Sequence, residues 1–370
     1  MPQTQRPVLT DGSRLIAESC VQAGADIYVG YPITPASLIF LYASRRFPVA
    51  LPAPDEITAL QWMAGLSAAG HIPVTATSFP GFALMVESIN MAYMMELPML
   101  IILVQRLGPA TGTATAGAQG DLQLLNGVIS GGYPLPVLCI SGMEDCWLLP
   151  PVALQMAVEM RSPVVLLTSK EMVMTQARVD LAQLPEITPL RRSFYNGTSP
   201  YCTYAADSSL VPPFLPVGNS EHQVRLNAST HDRCGIIRHT DEEAIANTIR
   251  LESKVRTLTP AVYHLDEQEG AETLLLTWGI TTGAAREAVA TLRNEGVPVS
   301  LLIACTLLPL PSVYYDIVDS YPRAVIAEEN QQGQLARLMF GQRLPQKVRT
   351  VTAVGRMIGP DEIAREVKSQ

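Results

Sequence analysis

Three side chains are placed where they could do chemistry: Arg106, Glu56 and Thr34. Arg106 follows Met99-Leu-Ile-Ile-Leu-Val104, a continuous apolar run that reads as a strand buried on both faces. It opens a loop of Gly, Thr, Ala and one Pro that ends at Gln119-Gly120-Asp121. Between Leu51 and Pro150 the charged residues are Asp55, Glu56, Glu87, Glu96, Arg106, Asp121, Glu144 and Asp145, so Arg106 is the one formal cation there. A buried guanidinium needs an anion. A protein carboxylate such as Glu87 or Glu96 would serve. So would a small carboxylate ligand held by the planar fork, since ligands bind at strand ends in open parallel sheets. Glu56 follows Pro54-Asp55 at the start of a helix, where the dipole favours an acid and Asp55 is the expected cap. Thr34 sits in Tyr31-Pro32-Ile33-Thr34-Pro35, either capping the next helix, which Pro35 can open, or meeting an anion or polar ring.

The elements that must position these residues alternate in type. Helical spacing predicts helices over 12–24, 58–69, 82–95, 121–129 and 143–160, the last interrupted at Pro150-Pro151. Short apolar runs predict strands at 26–30, 74–78, 99–104, 136–141 and 163–168. That alternation is doubly wound α/β. From Val173 to Gly235 the pattern dissolves into Pro, Gly, Asn and Ser, a length usually functional or draped over a neighbour. A polar helix follows at 241–254, then further βα pairs from Thr273 onward, read as a smaller parallel α/β unit. The expected division is residues 1–172, 173–260 and 261–370.

The chain has 370 residues, 48% hydrophobic and only 16% charged, against roughly 25% charged in typical soluble domains. A surface so poor in charge suggests cover by another subunit. No apolar run reaches the roughly 18 residues of a spanning helix, and no signal-peptide core follows the N-terminus, so a cytoplasmic protein is expected. A net charge of −8 without a basic cluster argues against nucleic acid. Cys20, Cys139, Cys146, Cys202, Cys234 and Cys305 contain no C-x-x-C pair. They read as reduced thiols that offer neither a zinc nor an iron–sulfur site, leaving any redox centre to a partner.

Several motifs together resemble the α subunit of 2-oxoacid:ferredoxin oxidoreductases, thiamine diphosphate enzymes, most of all the 2-oxoglutarate type of the split form. They are Gly30-Tyr-Pro-Ile-Thr-Pro-Ala-Ser37, Asp55-Glu56 with its small-residue helix, Pro80-Gly81-Phe82-Ala83-Leu84-Met85-Val86-Glu87, and Val104-Gln105-Arg106 through Asp121-Leu122. Gly279 to Ala288 and Glu328-Glu329-Asn330-Gln331-Gln332-Gly333-Gln334-Leu335-Ala336 continue the likeness. The resemblance implies an α/β fold: a doubly wound pyrimidine-binding-type domain, then a smaller parallel domain of the transketolase C-terminal type. It implies that Glu56 contacts the cofactor's pyrimidine ring and favours the imino tautomer, with Tyr31, Thr34, Pro80 and Gly81 around it. It implies that Arg106 holds the oxoacid carboxylate, with Thr34, Thr111 and Thr115 as polar neighbours. The diphosphate segment, G-D-G followed by Asn, has no counterpart here. The resemblance therefore implies a β subunit that brings Mg²⁺, the diphosphate half and a 4Fe-4S cluster, in an αβ or (αβ)2 assembly. The implied reaction is oxidative decarboxylation of a 2-oxoacid to acyl-coenzyme A, with electrons passed to ferredoxin. A two-chain non-oxidative decarboxylase and a non-catalytic scaffold are the alternatives. Two departures stand out: Ser78-Phe79-Pro80-Gly81 carries Phe79 where the family has glycine, and Ser130-Gly131-Gly132-Tyr133 replaces a His-Gly-Glu run.

Overall fold

The computed structural model describes residues 7–369. The first half of the chain runs β1 (Val8–Asp11), α1 (Gly12–Gln22), β2 (Ile27–Gly30), α2 (Ser37–Arg46), β3 (Val49–Pro52), α3 (Glu56–Ala68), β4 (Pro73–Thr77), α4 (Phe79–Met94) and β5 (Met99–Gln105). It continues with α5 (Leu122–Asn126), β6 (Val137–Cys139), α6 (Asp145–Met160), β7 (Pro163–Ser169), α7 (Lys170–Met174) and β8 (Gln176–Val179). The second half holds α8 (Glu242–Leu258), β9 (Tyr263–Asp266), β10 (Thr273–Thr277), α9 (Thr282–Asn294), β11 (Val299–Ala304), β12 (Thr306–Leu308), α10 (Ser312–Asp319), β13 (Arg323–Glu328), α11 (Gln334–Phe340), β14 (Val348–Thr352) and α12 (Pro360–Lys368).

Seven strands form the large sheet in the order β12-β6-β7-β5-β4-β2-β3, all parallel except β12, which runs antiparallel to β6. All seven residues of β5 are buried because helices cover both faces. Alternation splits them: Leu100, Ile102 and Val104 join the core beneath α1 and α6, while Met99, Ile101 and Leu103 join the core beneath α3 and α4. Ala59, Ala64 and Ala68 are buried on α3, and this small-residue face lets α4 pack against it.

The second sheet has the order β14-β13-β10-β11-β9. It is mixed rather than parallel, because edge strand β9 pairs antiparallel with β11. Two helices also differ from expectation. Helix α6 runs unbroken through Pro150 and Pro151, and α5 is a single short turn region instead of spanning 121–129.

Among the described residues, 180–235 contain no named helix or strand, and this segment lies over its own chain. Trp147 Nε1 donates to the Pro185 carbonyl at 2.9 Å, and Leu190 N to the Ala23 carbonyl at 2.8 Å. Arg161 Nη1 donates to the carbonyls of Thr203, Pro212 and Pro213, and Arg192 stacks 3.7 Å over the Phe214 ring. Cys202 and Cys234 are joined in a disulfide, which corrects the expectation of six reduced thiols. Thirty-two residues apart, they meet only because the segment folds back, and spacing does not reveal that.

A buried charge cluster fastens α8 to the large-sheet unit. Glu96, fully buried at the end of α4, takes Lys254 Nζ at 2.5 Å and pairs with Arg250 through both oxygens. Burial pushes the Glu96 carboxyl up, but Lys254 and Arg250 outweigh it and hold it at about 2. The stabilisation is therefore complete above the ordinary value of 4.5 and is lost as pH falls toward 2. Glu96→Gln strands two buried cations and should cost about 3–5 kcal/mol, read as an earlier urea midpoint at neutral pH. A midpoint within experimental error of the parent would mean that the cluster is not a fastening.

Candidate active site

Four adjacent parallel strands, β5, β4, β2 and β3, carry the candidate residues at their carboxyl ends. Register pairs Gly30 with Pro52 and Thr77 with Leu103, which levels the strand tips so that the following loops share one edge. Tyr31 and Thr34 follow β2, Glu56 follows β3, Pro80 and Gly81 follow β4, and Arg106 follows β5. This is the position where open α/β sheets take ligands.

Arg106 is 7% exposed. Its Nη1 reaches over to the Thr34 carbonyl at 2.5 Å, and its Nε has no partner. Thr34 thus meets Arg106 through its backbone, where the peptide to Pro35 is cis. It does not cap a helix, nor does Pro35 open one: α2 begins at Ser37 after Ala36, without a side-chain cap. Glu87 is exposed and Glu96 is already paired, so neither is the anion for Arg106. The carboxylate within electrostatic reach is Asp121, which the sequence reading did not weigh. Burial pushes Asp121 up to about 7 against the opposing pull of Arg106, and its Oδ2 is buried without a partner.

Glu56 opens α3 behind its cap, Asp55, which accepts from Thr58 N at 2.7 Å. The Glu56 side chain is 6% exposed and takes no hydrogen bond from any described residue. It lies directly against Gly81. A Cβ built there would stand 2.6 Å from Glu56 Oε1 and 2.3 Å from Thr77 Oγ1, so only glycine fits. The Ser78 hydroxyl nearby in the chain is also buried and unpartnered. A nearly dry acid with free acceptor capacity, beside a position emptied of side chain, suits a ring that brings its own N–H donors. Phe79 and Pro80 are half-buried in the first turn of α4, and Tyr31 is exposed.

The loop after Arg106 folds on itself. Leu107 N donates to the Ala116 carbonyl at 2.8 Å, and Thr113 N to the Leu107 carbonyl at 2.9 Å. Thr111 and Thr115 are exposed and make no side-chain hydrogen bond to any described residue, so they are not gathered around Arg106 here. The anchor is a residue that the sequence reading quoted in a motif without giving it a role. Gln119 is fully buried: its Nε2 donates to the Trp278 carbonyl at 2.6 Å. Its Oε1 accepts from Thr281 Oγ1 at 2.6 Å and from Glu329 N at 2.5 Å. Its own N–H donates to the Glu329 carbonyl at 2.9 Å. Gln334 adds a bond to the Gly120 carbonyl at 2.8 Å. A local signal was present at one end only: Asn330, Gln331, Gln332 and Gln334 make the stretch after Glu329 rich in amides.

The model of the pyruvate flavodoxin/ferredoxin oxidoreductase thiamine diphosphate-binding family matches residues 18–250. The chain belongs to this family. A 2-oxoglutarate oxidoreductase subunit KorA of Mycobacterium tuberculosis is 31% identical over 94% of the chain, which spans about half (54%) of that subunit. A ketoisovalerate oxidoreductase subunit VorB of Methanothermobacter thermautotrophicus is 32% identical, over 95% of this chain and 93% of that one. Among solved structures, the 2-oxoglutarate:ferredoxin oxidoreductase of Magnetococcus marinus, with 2-oxoglutarate, coenzyme A and succinyl-CoA bound, superposes with a TM-score of 0.92. It is 27% identical, and the match covers 98% of this chain and 65% of that one. A split-gene transketolase shares the fold alone, at a TM-score of 0.55 and 15% identity. No helix among the described residues is long and apolar enough to cross a membrane.

For this family member, Gly81→Ala should displace the Glu56 carboxylate while leaving the far side of α4 packed. Thiamine-dependent turnover is expected to fall by at least an order of magnitude, about 1.4 kcal/mol, in a variant that still folds but melts a few degrees earlier, since overpacking costs about 1–3 kcal/mol. Parental turnover in that variant would show that the contact carries no function.

Proposed function

We propose that the chain is the α subunit of a thiamine diphosphate-dependent 2-oxoacid:ferredoxin oxidoreductase, acting on a 2-oxoglutarate-like acid and forming acyl-coenzyme A with a partner β subunit. The observation that carries this reading is a pair of unsatisfied groups on one sheet edge: a guanidinium with a free Nε and a nearly dry acid with no donor among the described residues. Arg106 binds the carboxylate of the oxoacid and orients its keto carbon. Glu56, packed on Gly81, shares a proton through its carboxylate oxygens with the aminopyrimidine ring, and the exclusion of water around it keeps that exchange local. Thiamine diphosphate, when bound, supplies the nucleophilic carbon and the electron sink for loss of CO₂. Tyr31, Pro80 and the Thr34 turn line the approach. Thr111 and Thr115 supply hydroxyls once a partner covers the loop. That partner brings Mg²⁺, the diphosphate half and a 4Fe-4S cluster, in an αβ or (αβ)2 assembly.

Reduction of a viologen dye by the purified α–β pair, with and without coenzyme A, tests the reaction. Coenzyme A-dependent dye reduction is expected. Release of CO₂ and aldehyde without dye reduction would mark a non-oxidative decarboxylase, and no turnover would mark a scaffold. Glu56→Gln should abolish turnover with the α–β assembly intact, whereas Arg106→Lys should raise KM for the oxoacid about ten-fold or more, because a point charge cannot replace a bidentate fork. Asp121 adds a pH dependence. Below about 7 it is protonated and leaves Arg106 to the substrate; above, its carboxylate competes. The KM should therefore rise as pH passes upward through about 7, and Asp121→Asn should flatten that rise. A rise that persists unchanged in Asp121→Asn assigns it to another group.

A further inference from the structure

On the same carboxyl edge of the large sheet, at the flank where β12 pairs with β6, three metal-ligating side chains converge. Asp145 opens α6, His264 lies on β9, and Cys305 links β11 to β12. One donor atom from each lies within 4.8 Å of the other two. His264 Nε2 stands 3.4 Å from Asp145 Oδ1, and Asp145 Oδ2 is fixed by the Ser141 N–H at 2.9 Å. Asp145 and Cys305 are buried, while the His264 side chain is 47% exposed and forms the mouth.

We propose that Asp145, His264 and Cys305 form a site for a zinc-class divalent cation that ties the second sheet to helix α6. One carboxylate oxygen, one imidazole nitrogen and one sulfur suit a borderline-soft metal, and not Mg²⁺ or Ca²⁺, which take oxygens. Zinc bonds of about 2.0–2.3 Å place donors roughly 3.3–3.8 Å apart. The His264–Asp145 pair already has that spacing, and the remaining closure, from no more than 4.8 Å, is onto the Cys305 sulfur. Asp145 and Cys305 are already held. The Cys305 backbone is bonded on both sides, its N–H to the Val262 carbonyl at 3.1 Å and its carbonyl to Cys139 N at 2.7 Å. The Ser141 hydrogen bond orients the carboxylate, as partners of metal ligands do. Burial and the nearby Asp145 charge push the Cys305 thiol up to about 12, with a hydrogen bond from the Ser141 side chain and then Arg286 pulling the other way. It remains a neutral thiol until a cation arrives. On binding, the S–H bond breaks, the S–metal bond forms, the proton leaves to solvent past His264, and no electron moves. A water on the His264 side completes four ligands.

Co²⁺ titrated into the purified full-length protein is the probe, read as a difference spectrum against the metal-free sample. One equivalent per chain should bind with a near-ultraviolet thiolate-to-cobalt band, release one proton and be displaced by Zn²⁺. Cys305→Ser should remove the band. His264→Gln, a change at an exposed position that spares the core, should weaken cobalt binding at least ten-fold. Cobalt binding without a thiolate band, a band that survives Cys305→Ser, or parental affinity in His264→Gln would each overturn the site.

Discussion

The carboxamide of Gln119 is the joint on which the candidate site depends. It is the buried point where the Arg106 loop, the Trp278–Thr281 turn and the Glu329 backbone all meet: its amide donates to the Trp278 carbonyl, and its oxygen accepts from both Thr281 and Glu329. A buried amide satisfied in this way resists displacement, because breaking any one bond leaves a donor or acceptor out of water at about 1–3 kcal/mol. The loop tip, by contrast, is exposed and held only by its own backbone. Arg106 therefore projects from a segment fixed at both ends: by β5 on one side and by the second sheet's unit on the other.

That rigidity explains how two costly groups can be left unsatisfied. Arg106 keeps a buried Nε without a partner, and Glu56 keeps an acid with no donor from the described residues. In an ordinary core such groups would be paired or replaced. Here strand tips and helix starts hold them at the rim of the sheet, where open α/β sheets take ligands. Asp121, buried and drawn toward protonation, moderates the field of Arg106 without spending it.

Much of this was legible in the sequence. The uninterrupted apolar run of β5 announced a central strand, and the charge-free stretch around Arg106 singled it out before any geometry. Asp55 and Glu56 were placed correctly because capping is local chemistry. What stayed hidden depends on contacts between distant segments. Strand β9 is short and its pairing is fixed by a partner far away in sequence, so the second sheet read as parallel; β12, also short, joins the large sheet for the same kind of reason. The Cys202–Cys234 bond and the Asp145, His264 and Cys305 cluster have no regular spacing to betray them. Thr34 misled for the opposite reason: its local pattern is that of a cap, yet the turn spends the residue's carbonyl on Arg106 instead.

Strand β12 has a consequence for how this chain can be divided. It belongs by sequence to the second unit but closes the open flank of the large sheet, laying its backbone antiparallel along β6. Severed ahead of it, the first unit would present the bare hydrogen-bonding groups of β6 to any passing strand, an invitation to polymerise. The two units are thus sewn together by a borrowed ribbon, and gene splitting or shuffling that parts them must supply a substitute selvedge.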